Sequence, residues 1–252
     1  MTEDQYIEVC RLADDTLKSE RASPTRVAIP WLHIKSTHHV FLKDYENIYD
    51  DTIISSYNNS KRKAINIISL FAVLFQSLLY PSYSKWLRRF KNYLQIDILF
   101  VSHLVNKFQF NQVDDFYFSD IPQKISRAGF QSLVVMINQT GSEFIWTDNK
   151  KNLKKIVLPR RLGFYDEFKN ARLLWAEYRT LIKEMHLEKN KRKKKFLYFA
   201  ATESLCPSSL TSLRFAKQIR GIVKILGPKV LITTHEGDAW ERKVYDLSLI
   251  HI

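Results

Sequence analysis

Short apolar runs that alternate with helix-length amphipathic segments predict an α/β fold: a Rossmann-like parallel sheet flanked by helices, behind a mainly helical amino-terminal region. Three observations carry this. Four runs, Ile96–Val101, Leu133–Ile137, Phe196–Ala200 and Val230–Thr233, are short, apolar and bounded by polar residues, as buried strands are. The segments between them are long enough for crossover helices. Only six glycines and seven prolines interrupt a chain that is 45% hydrophobic and 26% charged, which suits long helices with short connections. The expected division is a helical region over 1–94, an α/β domain over 95–245, and a tail over 246–252 that is a truncation or non-native sequence.

Taken in order, Gln5–Ser19 has its apolar residues at helical spacing. Val27–Ile34 reads as extended, because Pro30 and its β-branched neighbours oppose helix. Phe41–Tyr57 and Arg62–Tyr80 carry helical spacing, and Pro81-Ser82 opens another helix through Phe90. After the first strand, a helix is expected over Ser119–Ala128, with Ser119 or Asp120 as its cap, Pro122 in the first turn and Gly129 as the stop. Asp148–Arg161 reads as a basic connection and Phe164–His186 as a long helix. Pro207–Leu226 is a further helix, ended by Gly227-Pro228, and another starts at Ala239.

In a parallel sheet, ligands gather beyond the carboxyl ends of the strands. Those ends are expected at Ser102-His103, Asn138-Gln139, Ala201-Thr202-Glu203 and Thr234-His235-Glu236-Gly237.

The formal charge of +13 makes an anionic partner plausible on physical grounds: nucleic acid, acidic lipid or a phosphorylated substrate. Much of it lies in the run Lys189 to Lys195, read as a solvated loop before a strand, and in a looser run from Lys150 to Arg161. Cys10 and Cys206 are the only cysteines, too few for a disulfide framework or a zinc site, and suit a reducing cytosol. Thr2-Glu3-Asp4 offers no secretory signal. Ala64–Tyr80 reaches about the minimum length of a membrane span. Polar residues interrupt it, however, so a buried helix explains it at least as well. Its flanking cations (Lys61, Arg62 and Lys63 before; Lys85, Arg88 and Arg89 after) leave docking at an interface open.

No GxxxxGK(S/T) or GxGxxG loop is present, nor GxSxG or HExxH, so ATP hydrolysis, dinucleotide redox chemistry and serine esterase chemistry lose their usual signatures. The stretch Thr233 to Arg242 is the most suggestive. A strand ends, His235 and Glu236 sit at its tip, Gly237 permits a sharp turn, and Trp240, Glu241 and Arg242 open a helix whose free amides can receive an anionic group. The simpler alternative makes Trp240 a core residue, Glu241 a favourable first-turn acid, and His235 and His103 turn histidines.

Glu236 to Arg242, an E-x-x-x-W-E pattern after a strand, resembles the motif of a family of surface carbohydrate biosynthesis proteins. Ile98–His103 resembles that family's first strand, and Phe118-Ser119-Asp120-Ile121-Pro122 its aromatic-x-Asp-Leu-Pro helix start. The family is similar to GT-B glycosyltransferases, with two Rossmann-like domains, an acceptor on the first and a nucleotide sugar on the second, and no essential metal or cofactor. By that resemblance Glu236 and His103 are the candidate bases, with His235 and Asp120 behind them. Ser102, Gly237, Trp240, Glu241 and Arg242 would bind substrate. The likeness covers residues 1–245, so the nucleotide-sugar half is expected beyond this chain, and the chain alone is expected to be inactive.

The implied partners are a nucleotide sugar, through that second half, a carbohydrate or lipid-linked acceptor, and an anionic membrane surface. The implied location is cytoplasmic, peripheral on the inner face of the plasma membrane. A basic nucleic-acid-binding protein and a non-catalytic interaction domain are the alternatives. Nucleic-acid binding ranks lower because most aromatic residues are expected on the apolar faces of the predicted elements.

Overall fold

The structure, a computed structural model, describes residues 1–34, 45–49, 56–90, 96–140, 154–234 and 238–248. Residues His235, Glu236 and Gly237, and most of the helix expected over Phe41–Tyr57, lie outside the described residues. The chain forms two compact units. The first takes residues 1–79, 164–214 and 237–252; the second takes 80–163 and 215–236.

The second unit holds a four-stranded, wholly parallel sheet built from β1 (Ile98–Leu104), β2 (Ser132–Asn138), β3 (Lys154–Val157) and β4 (Val230–Thr233), in the order β3-β2-β1-β4. β1 pairs with β2 from Ile98 opposite Ser132 to Leu104 opposite Asn138, and with β4 from Ile98 opposite Val230 to Val101 opposite Thr233. Asp97 ties the strand starts together: one carboxylate oxygen accepts the Gln131 N–H and the other the Lys229 ammonium, each at 2.9 Å. The Lys229 hydrogen bond, then that of Gln131, holds the Asp97 carboxyl below its usual pKa. Phe100, Leu104, Val134 and Met136 form an apolar layer with Phe110, packed by Phe118 and by Ile125 of the short helix Ile121–Arg127. Gly129, at φ 91°, ends that helix in the left-handed region, as the sequence predicts.

The first unit is helical. It contains α1 (Glu3–Leu17), α2 (Ser56–Gln76, continued by a 3-10 turn over Ser77–Leu79), α5 (Phe164–Leu187) and α6 (Lys191–Ser204). The labels α3 and α4 belong to Tyr83–Leu87 and Ile121–Arg127, α7 to Pro207–Leu226 and α8 to Ala239–Ser248. α1 opens with a capping box between Thr2 and Gln5. Its Val9 and Leu12 share one core with Trp31, Leu32, Leu181, Phe196 and Phe199. The amino-terminal helices thus complete the core of residues 164–214.

Four expectations are corrected. Phe196–Ala200 is not a strand but the middle of α6, so Ala201-Thr202-Glu203 is no strand tip. The lysine run is no loop either, since Asn190 caps α6 by accepting the N–H groups of Arg192 and Lys193, and the lysines fill its first turns. Conversely, the basic connection over Asp148–Arg161 contains β3. Val27–Ile34 folds as two 3-10 turns, Arg26–Ala28 and Pro30–Leu32, rather than an extended segment.

Candidate functional site

Within the second unit, the carboxyl ends of β1 and β4 lie side by side. His103 is fully buried between them, with Nε2 3.1 Å from Thr234 Oγ1 and Nδ1 2.8 Å from the Gln139 amide nitrogen. An amide nitrogen only donates, so with Gln139 in this orientation Nδ1 accepts and Nε2 carries the proton toward Thr234. The imidazole therefore links the tips of β1, β2 and β4. Tyr117 packs its ring 5.4 Å from that of His103.

One residue back along β1, buried Ser102 donates to Asp115 Oδ1 at 2.8 Å. The same oxygen accepts the N–H groups of Tyr117 and Phe118, at 2.9 and 3.1 Å. This Asx-type turn holds the 115–119 segment, closed by paired backbone bonds between Asp115 and Ser119, with Ser119 at φ 51°. Asp115 Oδ2 is buried and has no hydrogen-bond partner among the described residues, so this carboxylate retains acceptor capacity. The Lys155 ammonium, also buried, fastens the preceding stretch by donating to the carbonyls of Gln112 and Asp114. Burial lowers the Lys155 pKa, against the opposing pull of Asp115 and Asp114.

The other predicted residues lie as follows. Asp120 sits at the surface, its carboxylate 2.9 Å from Lys124 one turn on, and makes no side-chain cap bond. In the first unit, Trp240 is buried at 4% exposure, the disposition of a packing residue rather than of a sugar-stacking platform. Glu241 is fully buried and its Oε2 accepts the Asp238 N–H at 3.0 Å, closing the start of α8 as a first-turn acid does. Arg242 is exposed. Glu236, His235 and Gly237 are outside the described residues.

Sequence reasoning found Ser102 and His103 but missed Asp115, Lys155 and Tyr117 as residues of this region. Asp115 is one of several polar residues in a stretch without periodicity, and only the fold reveals its bond to Ser102. Among the described residues, no cluster of three or more His, Cys, Asp or Glu could hold a metal ion. A separate cavity of about 350 Å³ in the first unit is lined by Asp15, Ser19, Glu20, Arg21, Glu184 and Lys193, and by none of the predicted site residues. Arg26 already engages Glu184 there. No family model, curated protein or solved structure matches the chain.

Proposed function

We propose that this chain is the acceptor-side, Rossmann-like half of a GT-B-type glycosyltransferase acting in surface carbohydrate biosynthesis. One observation supports it above the others. The strand order β3-β2-β1-β4 reverses direction between β1 and β4, and open parallel sheets bind ligands just outside the strand ends at such a reversal. His103 and Thr234 meet there, and the chain continues directly into His235, Glu236 and Gly237. The segment after β1, residues 105–120, contains no glycine to cradle a diphosphate, which favours an uncharged polyol over a nucleotide at this site.

In the reaction, an acceptor hydroxyl oxygen bonds to the anomeric carbon while that carbon's bond to the nucleotide diphosphate breaks. The hydroxyl proton passes to a base, with Glu236 assigned that part, and the departing diphosphate is stabilised by the nucleotide-sugar half. His103, in this reading, positions Thr234 at the mouth of the site.

The test is a titration of the chain with a panel of oligosaccharides, with UDP- and GDP-sugars, and with single-stranded nucleic acid. Carbohydrate binding that weakens at least about tenfold on Thr234→Val, worth roughly 1.4 kcal/mol, is the expected result, with no uptake of nucleotide sugars. Salt-sensitive nucleic-acid binding without carbohydrate binding would favour the alternative of a basic nucleic-acid-binding protein. Binding of none of the three would leave a non-catalytic interaction domain.

A further inference from the structure

α2 is built inside out for a helix of a water-soluble unit. Three of its polar residues turn toward the protein and are satisfied there: Arg62 pairs with Glu203 at 2.9 Å, Lys63 donates to the Tyr178 hydroxyl at 2.6 Å, and Asn66 donates to the Thr202 carbonyl at 3.1 Å. Leu70 and Leu74 pack with Ala171 and Leu174 of α5 and with Leu210 and Leu213. The outward face is apolar. Ile65, Ile68, Phe71, Phe75, Leu78 and Leu79 are all exposed, Phe75 by 75% and Leu79 by 89%. Gln76 is the single polar residue among the exposed positions from 64 to 79. A surface helix ordinarily shows the reverse arrangement, and a contiguous exposed apolar stripe marks an interaction surface.

The neighbouring helix in the same unit supplies the second observation. α5, which packs against α2, exposes Phe168 and Trp175 together with Lys169, Arg172, Arg179 and Lys183, and exposes no acid. None of those four cations has an ion-pair partner among the described residues. The Trp175 ring lies 5.3 Å from that of Tyr178, which receives the Lys63 bond, so the tryptophan sits close to α2.

We infer that the α2–α5 face docks this protein on an anionic bilayer, with the α2 stripe lying in the headgroup–acyl boundary and the α5 cations against acidic headgroups. An apolar stripe with Phe and Trp at its edge and a cationic flank is the pattern of helices that lie in the membrane plane. By length and composition Lys61–Leu79 could also cross a bilayer, but Arg62, Lys63 and Asn66 are bound to α5 and α6, which fixes one side of the helix to protein. A nucleic acid would need cations within the stripe, and α2 has none exposed beyond Lys61. The inference does not depend on the glycosyl-transfer reading, since the vesicles below carry no sugar lipid and no activity is measured.

The experiment is co-sedimentation of the full chain with phosphatidylcholine vesicles, with and without phosphatidylglycerol, over a salt series. Light scattering of the free protein accompanies it. Binding to the anionic vesicles, falling with salt, is expected, and Phe71→Asp with Phe75→Asp should reduce it by about tenfold per phenylalanine. Both side chains are exposed, so circular dichroism and melting should match the parent. Brominated lipid should quench tryptophan fluorescence in the unmodified chain, and Trp175→Phe should remove that quenching. The inference is overturned if the chain stays in the supernatant, or if it binds equally well without the two phenylalanines, which would be charge adsorption alone. It also fails if the double variant dissolves a dimer or abolishes nucleic-acid binding while vesicles are ignored.

Discussion

Arg26 is wholly buried in the first unit, and its guanidinium is matched by two carboxylates: Nε lies 2.5 Å from Glu177 and Nη2 2.7 Å from Glu184, while Nη1 donates to the Thr16 carbonyl at 2.8 Å. Burial alone would lower its pKa, but the hydrogen bonds and charges of Glu184 and Glu177 outweigh burial and raise it. Ser23 completes the shell of Glu177 at 2.5 Å. Such a cluster contributes little against an apolar replacement of all its members, yet it is costly to halve, because the remaining charge is left buried and unpaired. Arg26→Met should therefore destabilise the protein by about 3–5 kcal/mol in urea unfolding. Adding Glu177→Leu should recover a large part of that loss. Additive losses would show that the pair is not coupled. The same scale explains why the strand-tip residues were only half legible: His103 and Ser102 are placed by their position at the end of β1, whereas Asp115 enters through a bond thirteen residues long in sequence that no local pattern encodes.

Among elements, α6 shows where sequence reading fails and why. Phe196–Ala200 is apolar over consecutive positions, which suits a strand buried on both faces. A helix buried all round produces the same run, and periodicity alone does not separate them over five residues. The deciding signal stands before the run: Glu188 accepts the N–H groups of Lys189 and Asn190, each at 2.9 Å, and Asn190 accepts those of Arg192 and Lys193. β3 was hidden for the opposite reason, since Lys154 and Lys155 read as part of a charge run although the strand is hydrogen-bonded to β2. The other three strands and the glycine stops were legible because each followed a single local rule. Hydrogen bonding from the Asn190 N–H, then Lys193, holds the Glu188 carboxyl below its ordinary pKa. A depressed carboxylate contributes stability above its unfolded-state value and loses it as pH falls through the folded-state value. Glu188→Gln should thus cost less than about 1 kcal/mol at neutral pH, since its side chain is partly open to solvent, and the difference in melting temperature should vanish on acidification. A constant difference across that range would assign the effect to geometry rather than charge.

At the scale of the whole molecule, each compact unit is assembled from separated stretches of chain. The first unit's core joins Val9, Leu12, Trp31 and Leu32 to Leu181, Phe196, Leu197 and Phe199. A second cluster in it joins Ala28, Leu70 and Leu74 to Ala171, Leu174 and Leu210. The buried Arg26 is likewise neutralised by Glu177 and Glu184 of α5. A fragment of residues 1–94 carries half of each of these arrangements, and the apolar area it can bury without α5 and α6 falls well short of offsetting the entropy of ordering its helices. Such a fragment should show no cooperative thermal transition and should bind a hydrophobic dye, while the full chain melts cooperatively. Calorimetry of the two side by side checks this. A sharp transition in the fragment would mean that the amino-terminal helices hold a core of their own, and that the segment 164–214 is an addition to it rather than its other half.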